Sequence, residues 1–344
     1  MKIRTFFLTM LALMLGIGKG STCSRVVFHG RDSLIVVGRT LDWRSPIPTN
    51  IYVYPRGMRK RGMPQGKTLE WVSKYGSVLA VSYDGGTTEG MNEKGLVMNA
   101  LFCKGTLYRN DAGGDAATIS LAVFINYFLD NFASVAEAET WLNANDFAIY
   151  GENFDGSTEA SLHWALTDRT GTTLVIEYRN RQLELYKSEN YDVLTNDPPF
   201  SDMLAIDGYW KQIGGSVMLP GTVHSPDRFV RASFFISHIP ADVDAQRAAA
   251  AVVSVLGVVS VPLGYELPDA PNLSSTQWHS VSDALNLRYY FGFTTEFCNF
   301  WIDLSEVDLN AGAPVLKLDT ADRRGLAGCV HDRLEISTPF NPMW

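Results

Sequence analysis

The sequence predicts an α+β fold, in which strands and helices are grouped along the chain instead of alternating. Two observations support this prediction. β-branched and aromatic runs separated by Gly, Asp and Pro clusters dominate the first third of the chain, and apolar residues at helical spacing follow from residue 116 onwards. Strand-like runs then return, which gives the order strands, helices, strands, helices, strands. A doubly wound dinucleotide-binding fold is therefore disfavoured.

The first group of strands is predicted to form an antiparallel sheet, because turn-like clusters separate its members. One such cluster lies at residues 90–93. The predicted strands are Arg25–His29, Leu34–Thr40, Ile51–Tyr54, Val78–Tyr83 and Gly95–Phe102.

A change of period marks the predicted helices. Ala116–Phe132 carries apolar residues at helical spacing, and Ser134-Val-Ala-Glu137 has the form of a capping box that begins a second helix extending to Asn143. Two further helices are predicted at Arg228–His238 and Ala241–Val255. The remaining predicted strands are Ser161–Thr167, Thr172–Tyr178, Gln182–Tyr186, Tyr191–Thr195, Leu287–Phe293, Phe300–Leu304 and Val315–Leu318.

Composition and charge restrict the class of function. Of 344 residues, 46% are hydrophobic and 19% charged, which is typical of a globular protein. The formal net charge is −8, and the sequence contains no Lys/Arg-rich stripe. Binding to nucleic acid is therefore not expected, since phosphate backbones require clustered positive charge.

The first 22 residues have the pattern of a secretory signal peptide. Lys2 and Arg4 precede the apolar run Thr5–Ile17, and small residues follow it. That run is shorter than the roughly 20 residues of a membrane-spanning helix, so no stable membrane insertion is expected. Removal of residues 1–22 takes away three basic and no acidic residues and leaves a net charge of −11. We therefore expect an exported protein, periplasmic or secreted, whose residues 23–344 form one domain.

Four cysteines in an exported chain first suggest two disulfides. Cys103 and Cys298, however, have apolar neighbours, which favours buried free thiols. Cys329 has no identifiable partner, and its pairing stays open. Cys23 differs from the other three because it lies where the predicted signal peptide ends.

Common catalytic and metal-binding motifs are missing from the sequence. The six histidines form no HExxH motif, and neither a P-loop nor a Gly-x-Ser-x-Gly elbow is present. Cleavage before Cys23 would instead place a thiol and an α-amine on one residue. An α-amine has a reference pKa of about 7.7–8.0, so it would accept the thiol proton near neutrality. The resulting thiolate is the nucleophile that attack on an amide carbonyl requires.

A second interpretation of Cys23 is lipid attachment in a non-catalytic lipoprotein. The two hypotheses exclude each other, because acylation would consume the thiol. The preceding residues Gly20-Ser21-Thr22 match a lipobox poorly, since that motif prefers a leucine-like residue first and a very small one last.

Five motifs in order carry a resemblance to a known family. They are Cys23-Ser24-Arg25, Val37-Gly38-Arg39-Thr40-Leu41-Asp42-Trp43, Asn92-Glu93-Lys94-Gly95-Leu96, Val193-Leu194-Thr195-Asn196-Asp197-Pro198 and Ser225-Pro226-Asp227-Arg228-Phe229-Val230-Arg231. With these motifs the chain resembles the choloylglycine hydrolase/penicillin V acylase family of N-terminal-nucleophile hydrolases. The resemblance implies a four-layer αββα sandwich of two antiparallel sheets and hydrolysis of linear amides, without a metal or organic cofactor.

The resemblance also implies roles for individual residues. Cys23 would be the nucleophile and its α-amine the base, with Asp42 holding that amine. Arg39 would place positive charge beside the thiol. Asn196 would donate to the developing oxyanion, and Arg228 would be a second active-site arginine. Simpler alternatives are a hairpin ion pair between Arg39 and Asp42, a turn role for Asn196, and a solvated helix-start role for Arg228.

Two departures from the family pattern concern substrate and assembly. Phe102 stands where bile salt hydrolases typically carry Asn and penicillin V acylases Tyr; its backbone N–H would still complete an oxyanion hole. The 31 residues between Asn196 and Arg228 form a shorter segment than in many relatives, where an extension contacts a neighbouring subunit. A homo-oligomer, dimer or tetramer, is nevertheless expected.

The predicted substrate is a small amphipathic amide. The first hypothesis is a glycine- or taurine-conjugated bile salt, and the alternative is penicillin V, cleaved at its phenoxyacetyl amide. Apolar side chains that would line the site are Trp43, Met58, Phe102, Met203, Leu204 and Trp210.

Overall fold

A computed structural model describes residues 23–109, 116–151, 160–266 and 274–343. The predicted signal peptide, residues 1–22, lies outside the described residues. In chain order the elements are β1 (Ser24–His29), β2 (Ile35–Trp43), β3 (Thr49–Tyr54), β4 (Arg59–Arg61), β5 (Glu70–Val72), β6 (Ser77–Ser82), β7 (Gly86–Asn92), β8 (Val97–Phe102), β9 (Ala117–Ser120), α1 (Leu121–Asn131), α2 (Val135–Ala144), β10 (Phe147–Tyr150), β11 (Leu162–Thr167), β12 (Thr173–Arg179), β13 (Gln182–Ser188), β14 (Val193–Leu194), α3 (Phe200–Ile213), α4 (Ser225–Ser237), α5 (Ala245–Val259), β15 (Ser275–Asp283), β16 (Arg288–Phe293), β17 (Phe300–Asp303), β18 (Val315–Leu318), β19 (Gly328–Cys329) and β20 (Glu335–Ser337).

Two large sheets form the centre of the fold. One has seven strands in the order β14-β1-β2-β15-β16-β17-β19, and the other has nine in the order β13-β12-β11-β8-β7-β6-β3-β18-β20. Neighbouring strands are antiparallel, except that β17 and β19 run parallel at one edge. Two small sheets, β4 with β5 and β9 with β10, lie outside these two.

Helices cover the outer faces of both sheets. Helices α4 and α5 pack on β1 and β2, with α3 beside α4, while α1 and α2 pack on the nine-stranded sheet. The resulting layers are helix, sheet, sheet, helix, which confirms the predicted αββα sandwich. At Gly38 the approach of α5 is so close that a Cβ would lie 2.3 Å from Val252 Cγ1, and a side chain there would push the helix away.

Several element boundaries differ from the sequence predictions. The single helix predicted over Ala116–Phe132 is wrong at its start, because 117–120 form β9, paired in parallel with β10. The Ser120 hydroxyl then accepts the backbone N–H of Ala122 at 3.1 Å and begins α1. The predicted helix from Ala241 begins at Ala245, after the capping carboxylate of Asp244. Helix α3 and strand β15 were not predicted. The turn predicted at residues 90–93 is wrong for most of its length, because residues 90–92 belong to β7, which pairs with β6 and β8.

The capping box before α2 is confirmed, with the Ser134 hydroxyl accepting from Glu137 N–H at 3.3 Å. Within the described part of the chain, no helix is long and apolar enough to cross a bilayer. All four cysteines are free thiols. Cys103 is buried as expected, but the expectation for Cys298 is wrong: it is exposed, because it lies in the surface loop between β16 and β17.

Candidate active site

Cys23 is buried directly before β1, next to the end of β2. Ser24 is the pairing partner of Thr40, and its N–H donates to the Thr40 hydroxyl at 3.1 Å. The Cys23 thiol lies 4.0 Å from the backbone carbonyl of Asp42. The motif that contains Cys23 and the motif that contains Asp42 are thus brought together by the register of two adjacent strands.

Arg228 connects the Cys23 backbone to Asn196. Its Nη1 donates to the carbonyl of Cys23 at 2.7 Å and to the Ser24 hydroxyl at 2.5 Å. Its Nη2 donates to Asn196 Oδ1 at 2.7 Å, and its Nε to the Val223 carbonyl at 2.9 Å. Because the side chain is fully buried in the first turn of α4, Arg228 is not the solvated helix-start residue of the simpler alternative.

Asn196 follows β14 and is buried. Its Nδ2 donates to the Phe102 carbonyl at 2.7 Å, and its backbone N–H donates to the Ser225 hydroxyl at 2.8 Å. One proton of the amide nitrogen remains for another acceptor, since an amide NH₂ has two donors. The side chain is therefore fixed at both its oxygen and its nitrogen, which a plain turn residue does not require.

The backbone N–H of Phe102 faces the same side as this carbonyl. Cys103 N–H donates at 2.9 Å to the carbonyl of Ser161, the residue directly before β11, so the N–H of Phe102 points away from β11. Among the described residues, β7 pairs with β8 only as far as Asn99, which leaves the end of β8 without a strand neighbour on that side. The Phe102 N–H thus points to the same edge of β8 at which Asn196 is held.

Asp42 is buried on the helix-facing side of β2. Burial raises the pKa of Asp42 to about 6, while the positive charge of Arg228, the hydroxyls of Thr276 and Thr40, and the charge of Arg39 lower it. A carboxylate in such surroundings is stabilised by an additional positive charge next to it. An α-ammonium group at Cys23 would supply that charge.

Arg39 lies on the opposite face of β2, between the two sheets. Its Nη2 donates to the Ala100 carbonyl at 2.9 Å, its Nε lies 3.4 Å from Glu89 Oε2, and its guanidinium stacks 4.8 Å from the Trp278 ring. Arg39 and Asp42 are an odd number of residues apart in an extended strand and face opposite ways. They are therefore not a simple hairpin ion pair.

Sequence reasoning missed a third buried arginine beside the site, in addition to Arg39 and Arg228. Arg25 is the pairing partner of Arg39, donates through Nε to Asn99 Oδ1 at 2.8 Å, and is fully buried. Burial lowers the pKa of Arg25 to about 9. The sequence could have indicated this position. Arg25 is two residues beyond Cys23, so in an extended strand the two side chains point to the same face.

Two residues of the predicted apolar lining, Met58 and Met203, do not face an open site. The rings of Trp43 and Phe102 are both partly exposed and meet edge to face, with centroids 6.3 Å apart. Met58 instead packs against the core between the nine-stranded sheet and its helices, and Met203 is buried in the other core, so neither lines an open site.

Comparison with known proteins identifies the family. A model of linear amide C–N hydrolases, choloylglycine hydrolase family, matches residues 23–317. The chain belongs to this family. It is 36% identical to penicillin V acylase of Pectobacterium atrosepticum, over 91% of this chain and 89% of that protein. Bile salt hydrolase/transferase of Clostridium perfringens is 29% identical over 62% of this chain and 71% of its own length.

Solved structures give the same result. Penicillin V acylase of Agrobacterium tumefaciens superposes with a TM-score of 0.86 at 39% identity, covering 93% of this chain and 99% of the other. A variant of conjugated bile acid hydrolase of Clostridium perfringens, with a TM-score of 0.72 and 22% identity over 85% and 95% of the two chains, shares the fold. The protein is thus a hydrolase of linear amide bonds, as the resemblance implied.

Proposed function

We propose that Cys23, once it is the first residue of the exported chain, is the nucleophile of this hydrolase. One observation carries the proposal. Arg228 holds the Cys23 carbonyl and the Asn196 amide oxygen at 2.7 Å each, and Asn196 in turn reaches the Phe102 carbonyl at 2.7 Å. A continuous set of hydrogen bonds therefore joins the nucleophile to both groups that would stabilise an oxyanion.

The reaction would proceed in two stages. The α-amine of Cys23 takes the thiol proton, and Sγ attacks the amide carbonyl carbon to give a tetrahedral oxyanion. The C–N bond then breaks, the ammonium returns a proton to the leaving amine, and a thioester at Cys23 remains. Water, deprotonated by the same amine, attacks the thioester and releases the carboxylic acid and the thiol.

Two donors would stabilise the oxyanion in both stages. They are the Phe102 backbone N–H and the second proton of Asn196 Nδ2, which face one edge of β8. Asp42 would hold the α-ammonium, and Arg39 would face the developing negative charge from between the sheets. Each such contact is stronger in a buried site than in water.

We propose a phenoxyacetyl amide such as penicillin V as the preferred substrate. The two penicillin V acylases match nearly the whole chain, and the edge-to-face pair of Trp43 and Phe102 offers an aromatic surface to an aromatic acyl group. A glycine- or taurine-conjugated bile salt is the second candidate. The match to bile salt hydrolase and the apolar side chain of Phe102, which also suits a sterol, support it.

A paired assay tests the proposal. The processed protein is incubated separately with penicillin V and with glycine- and taurine-conjugated bile salts, and the released amine is quantified in each case. Faster release of amine from penicillin V supports a phenoxyacetyl amide as the preferred substrate, and faster release of glycine or taurine supports a conjugated bile salt. Absence of turnover of all three contradicts the proposed substrate class, and Cys23→Ala is the control for background hydrolysis.

Export and processing belong to the same proposal. The exported protein is expected to have an intact mass that begins at Cys23 with a free thiol. N-terminal sequencing detects cleavage at another bond near Thr22. A mass increased by a diacylglyceryl group would instead support the lipoprotein hypothesis and exclude a free nucleophile.

We also propose that the chain forms a homo-oligomer through the segment between Asn196 and Arg228. Four apolar side chains are exposed there, with Val217 at 92% and Met218 at 53%, together with Tyr209 and Ile213. Exposed apolar groups of this kind are typical of an interface. Light scattering coupled to size exclusion measures the mass, and a monomer that persists at high concentration contradicts the proposal.

A further inference from the structure

A buried charged pair lies behind the candidate site and has no role in the reaction above. His163 of β11 and Glu177 of β12 are both fully buried, with Nδ1 and Oε1 2.8 Å apart. The other ring nitrogen of His163, Nε2, lies 2.8 Å from the Thr195 carbonyl. The Glu177 carboxylate also accepts the backbone N–H of Phe200, at 3.1 Å to each oxygen.

The partners of His163 define its protonation state. Both ring nitrogens face acceptors, a carboxylate and a carbonyl, and a neutral imidazole has only one N–H to donate. His163 is therefore an imidazolium that donates two hydrogen bonds. Burial alone lowers the pKa of His163, but Cys103 and Glu177 raise it to about 10.

Cys103 completes a group of three side chains whose ligand atoms lie within 4.8 Å of one another. A metal ion is one interpretation of such a group. The separation of 2.8 Å between Nδ1 and Oε1 is that of a charge-assisted hydrogen bond, whereas two ligands on a tetrahedral zinc lie about 3.3 Å apart. The geometry therefore favours a direct hydrogen bond between His163 and Glu177 over a metal ion between them.

The pair holds both ends of one short segment of chain. His163 binds the carbonyl of Thr195, and Glu177 binds the N–H of Phe200 at the start of α3. Asn196 lies between these two anchors, directly after Thr195. A shift of the Thr195 carbonyl would therefore move the Asn196 amide relative to the Phe102 carbonyl and N–H.

We propose that His163 and Glu177 are positioning residues that orient the oxyanion donor Asn196. The inference rests on the proposed role of Asn196. Both side chains are buried and contact the backbone of Thr195 and Phe200, so their removal is expected to impair stabilisation of the oxyanion and to leave the reactivity of the Cys23 thiol unchanged. That combination distinguishes positioning from a general loss of structure.

The first test is Glu177→Gln. Glutamine removes the negative charge, so the charge-assisted hydrogen bonds to His163 and to the Phe200 N–H become neutral ones that are about half as strong. Without that charge His163 is no longer held as an imidazolium, and a neutral imidazole has only one N–H to donate. We expect kcat for the better substrate of the paired assay to fall about 10–100-fold, somewhat less than the 10²–10³-fold cost of deleting an oxyanion donor, with KM within about 2-fold. The rate of Cys23 alkylation by iodoacetamide, which forms no oxyanion, is expected to stay unchanged.

Asn196→Ala supplies the thermodynamic cycle. If Glu177 acts through Asn196, Glu177→Gln is expected to have no further effect on kcat in the Asn196→Ala background. Independent, multiplicative losses would overturn the inference, as would wild-type kcat in Glu177→Gln. Should Glu177→Gln fail to fold, His163→Leu, which removes the donor to the Thr195 carbonyl, replaces it in the same cycle.

Asp130→Asn is the matched control. Asp130 is also a fully buried carboxylate, held by Lys60 at 2.9 Å and by Trp71 Nε1 at 2.6 Å, but it packs on the far side of the nine-stranded sheet. We expect it to lower the melting temperature and leave kcat unchanged. If both variants lose stability and activity in the same proportion, the positioning role is wrong.

Two readouts are independent of turnover. A crystal structure of Glu177→Gln is expected to show Asn196 Nδ2 displaced from the Phe102 carbonyl, and an unmoved Asn196 overturns the inference whatever the substrate. Stoichiometric zinc in the purified protein would contradict the direct hydrogen bond between His163 and Glu177 and overturn the inference. A wild-type protein that hydrolyses none of the three amides overturns the proposed substrate instead, so the two failures are distinguishable.

Discussion

Strand β2 separates two buried polar networks that differ in what they contact. On its helix-facing side lies Asp42, and there Arg228 reaches the Cys23 backbone and the Asn196 amide. On its sheet-facing side, Arg39 contacts the carbonyl of Ala100 and the carboxylate of Glu89. The first network joins groups around the nucleophile, and the second fixes guanidinium groups between the sheets.

The two networks also differ in how their arginines are satisfied. Arg228 donates to four protein acceptors. Nη1 of Arg39 and Nη1 of Arg25, by contrast, have no hydrogen-bond partner among the described residues. A guanidinium whose three nitrogens all donate to protein acceptors holds those acceptors in fixed positions. A guanidinium with an unused donor can still bind a nearby negative charge. We therefore expect substitutions on the helix side to act through geometry and those between the sheets to act through charge.

The largest effect is expected at the junction of the two networks, at Cys23. Cys23→Ala and Cys23→Ser remove the thiolate, and kcat is expected to fall by more than about 10³-fold while the circular dichroism spectrum stays the same. Turnover is measured with the better substrate of the paired assay. Retained activity in Cys23→Ala would contradict the assignment of the nucleophile.

The second prediction concerns Asp42 and the amine it would hold. Burial raises the pKa of Asp42 to about 6, against an ordinary 3.8, because it disfavours the charged form. A chain with one extra residue before Cys23 has no α-ammonium at Cys23, so its Asp42 is expected to keep this raised pKa. The folded state then binds more protons than the unfolded state between pH 4 and 6. The free energy of unfolding is expected to fall by about 3 kcal/mol as the pH rises through that range.

In the chain that begins at Cys23, the α-ammonium compensates the carboxylate, so this fall should shrink. Urea unfolding of both chains at pH 4 and pH 7 measures the difference. Asp42→Asn in the extended chain is the control and should remove the contribution of Asp42 altogether. An identical pH dependence in the two unsubstituted chains would show that the amine does not lie beside Asp42.

The third prediction separates geometry from charge by the same substitution on both sides of β2. Arg228→Lys keeps the charge but replaces a planar guanidinium that donates to four acceptors with a single ammonium group. We therefore expect kcat to fall about 10²-fold. Arg39→Lys keeps the charge between the sheets, and a loss of no more than about 10-fold is expected. Steady-state kinetics on both variants test this, and an equal or reversed order would refute the distinction.

Sequence reasoning found the helix-side network more completely than the one between the sheets. Asp42, Asn196 and Arg228 each lie in a motif near an element boundary, and their order along the chain identified them. Glu89 and Asn99 lie inside strands, where a polar residue resembles any solvent-facing position of an alternating pattern. Only the packing of the two sheets shows that their side chains point inward.

His163 and the unpredicted elements were missed for reasons that the sequence pattern also explains. His163 and Thr195 are far apart in sequence and meet only through the register of β11 and the path of the chain after β14. Helix α3 mixes Asp202, Asp207 and Gly208 into its apolar positions, which weakens the helical pattern. The sequence before strand β15 has no periodic pattern that marks where the strand begins.

The smallest effect is expected at the far end of the network between the sheets. The Tyr289 hydroxyl donates to Glu89 Oε1 at 2.5 Å, and burial raises the pKa of Tyr289 well above its ordinary value, so the hydroxyl stays a donor. Tyr289→Phe removes one hydrogen bond to a buried carboxylate and is expected to cost about 2 kcal/mol of unfolding free energy. Because Ala100 and Glu89 still hold Arg39, kcat/KM should stay within about 3-fold. A large loss of kcat without loss of stability would mean that the geometry of the network between the sheets also controls catalysis, and the contrast between the two sides of β2 would not hold.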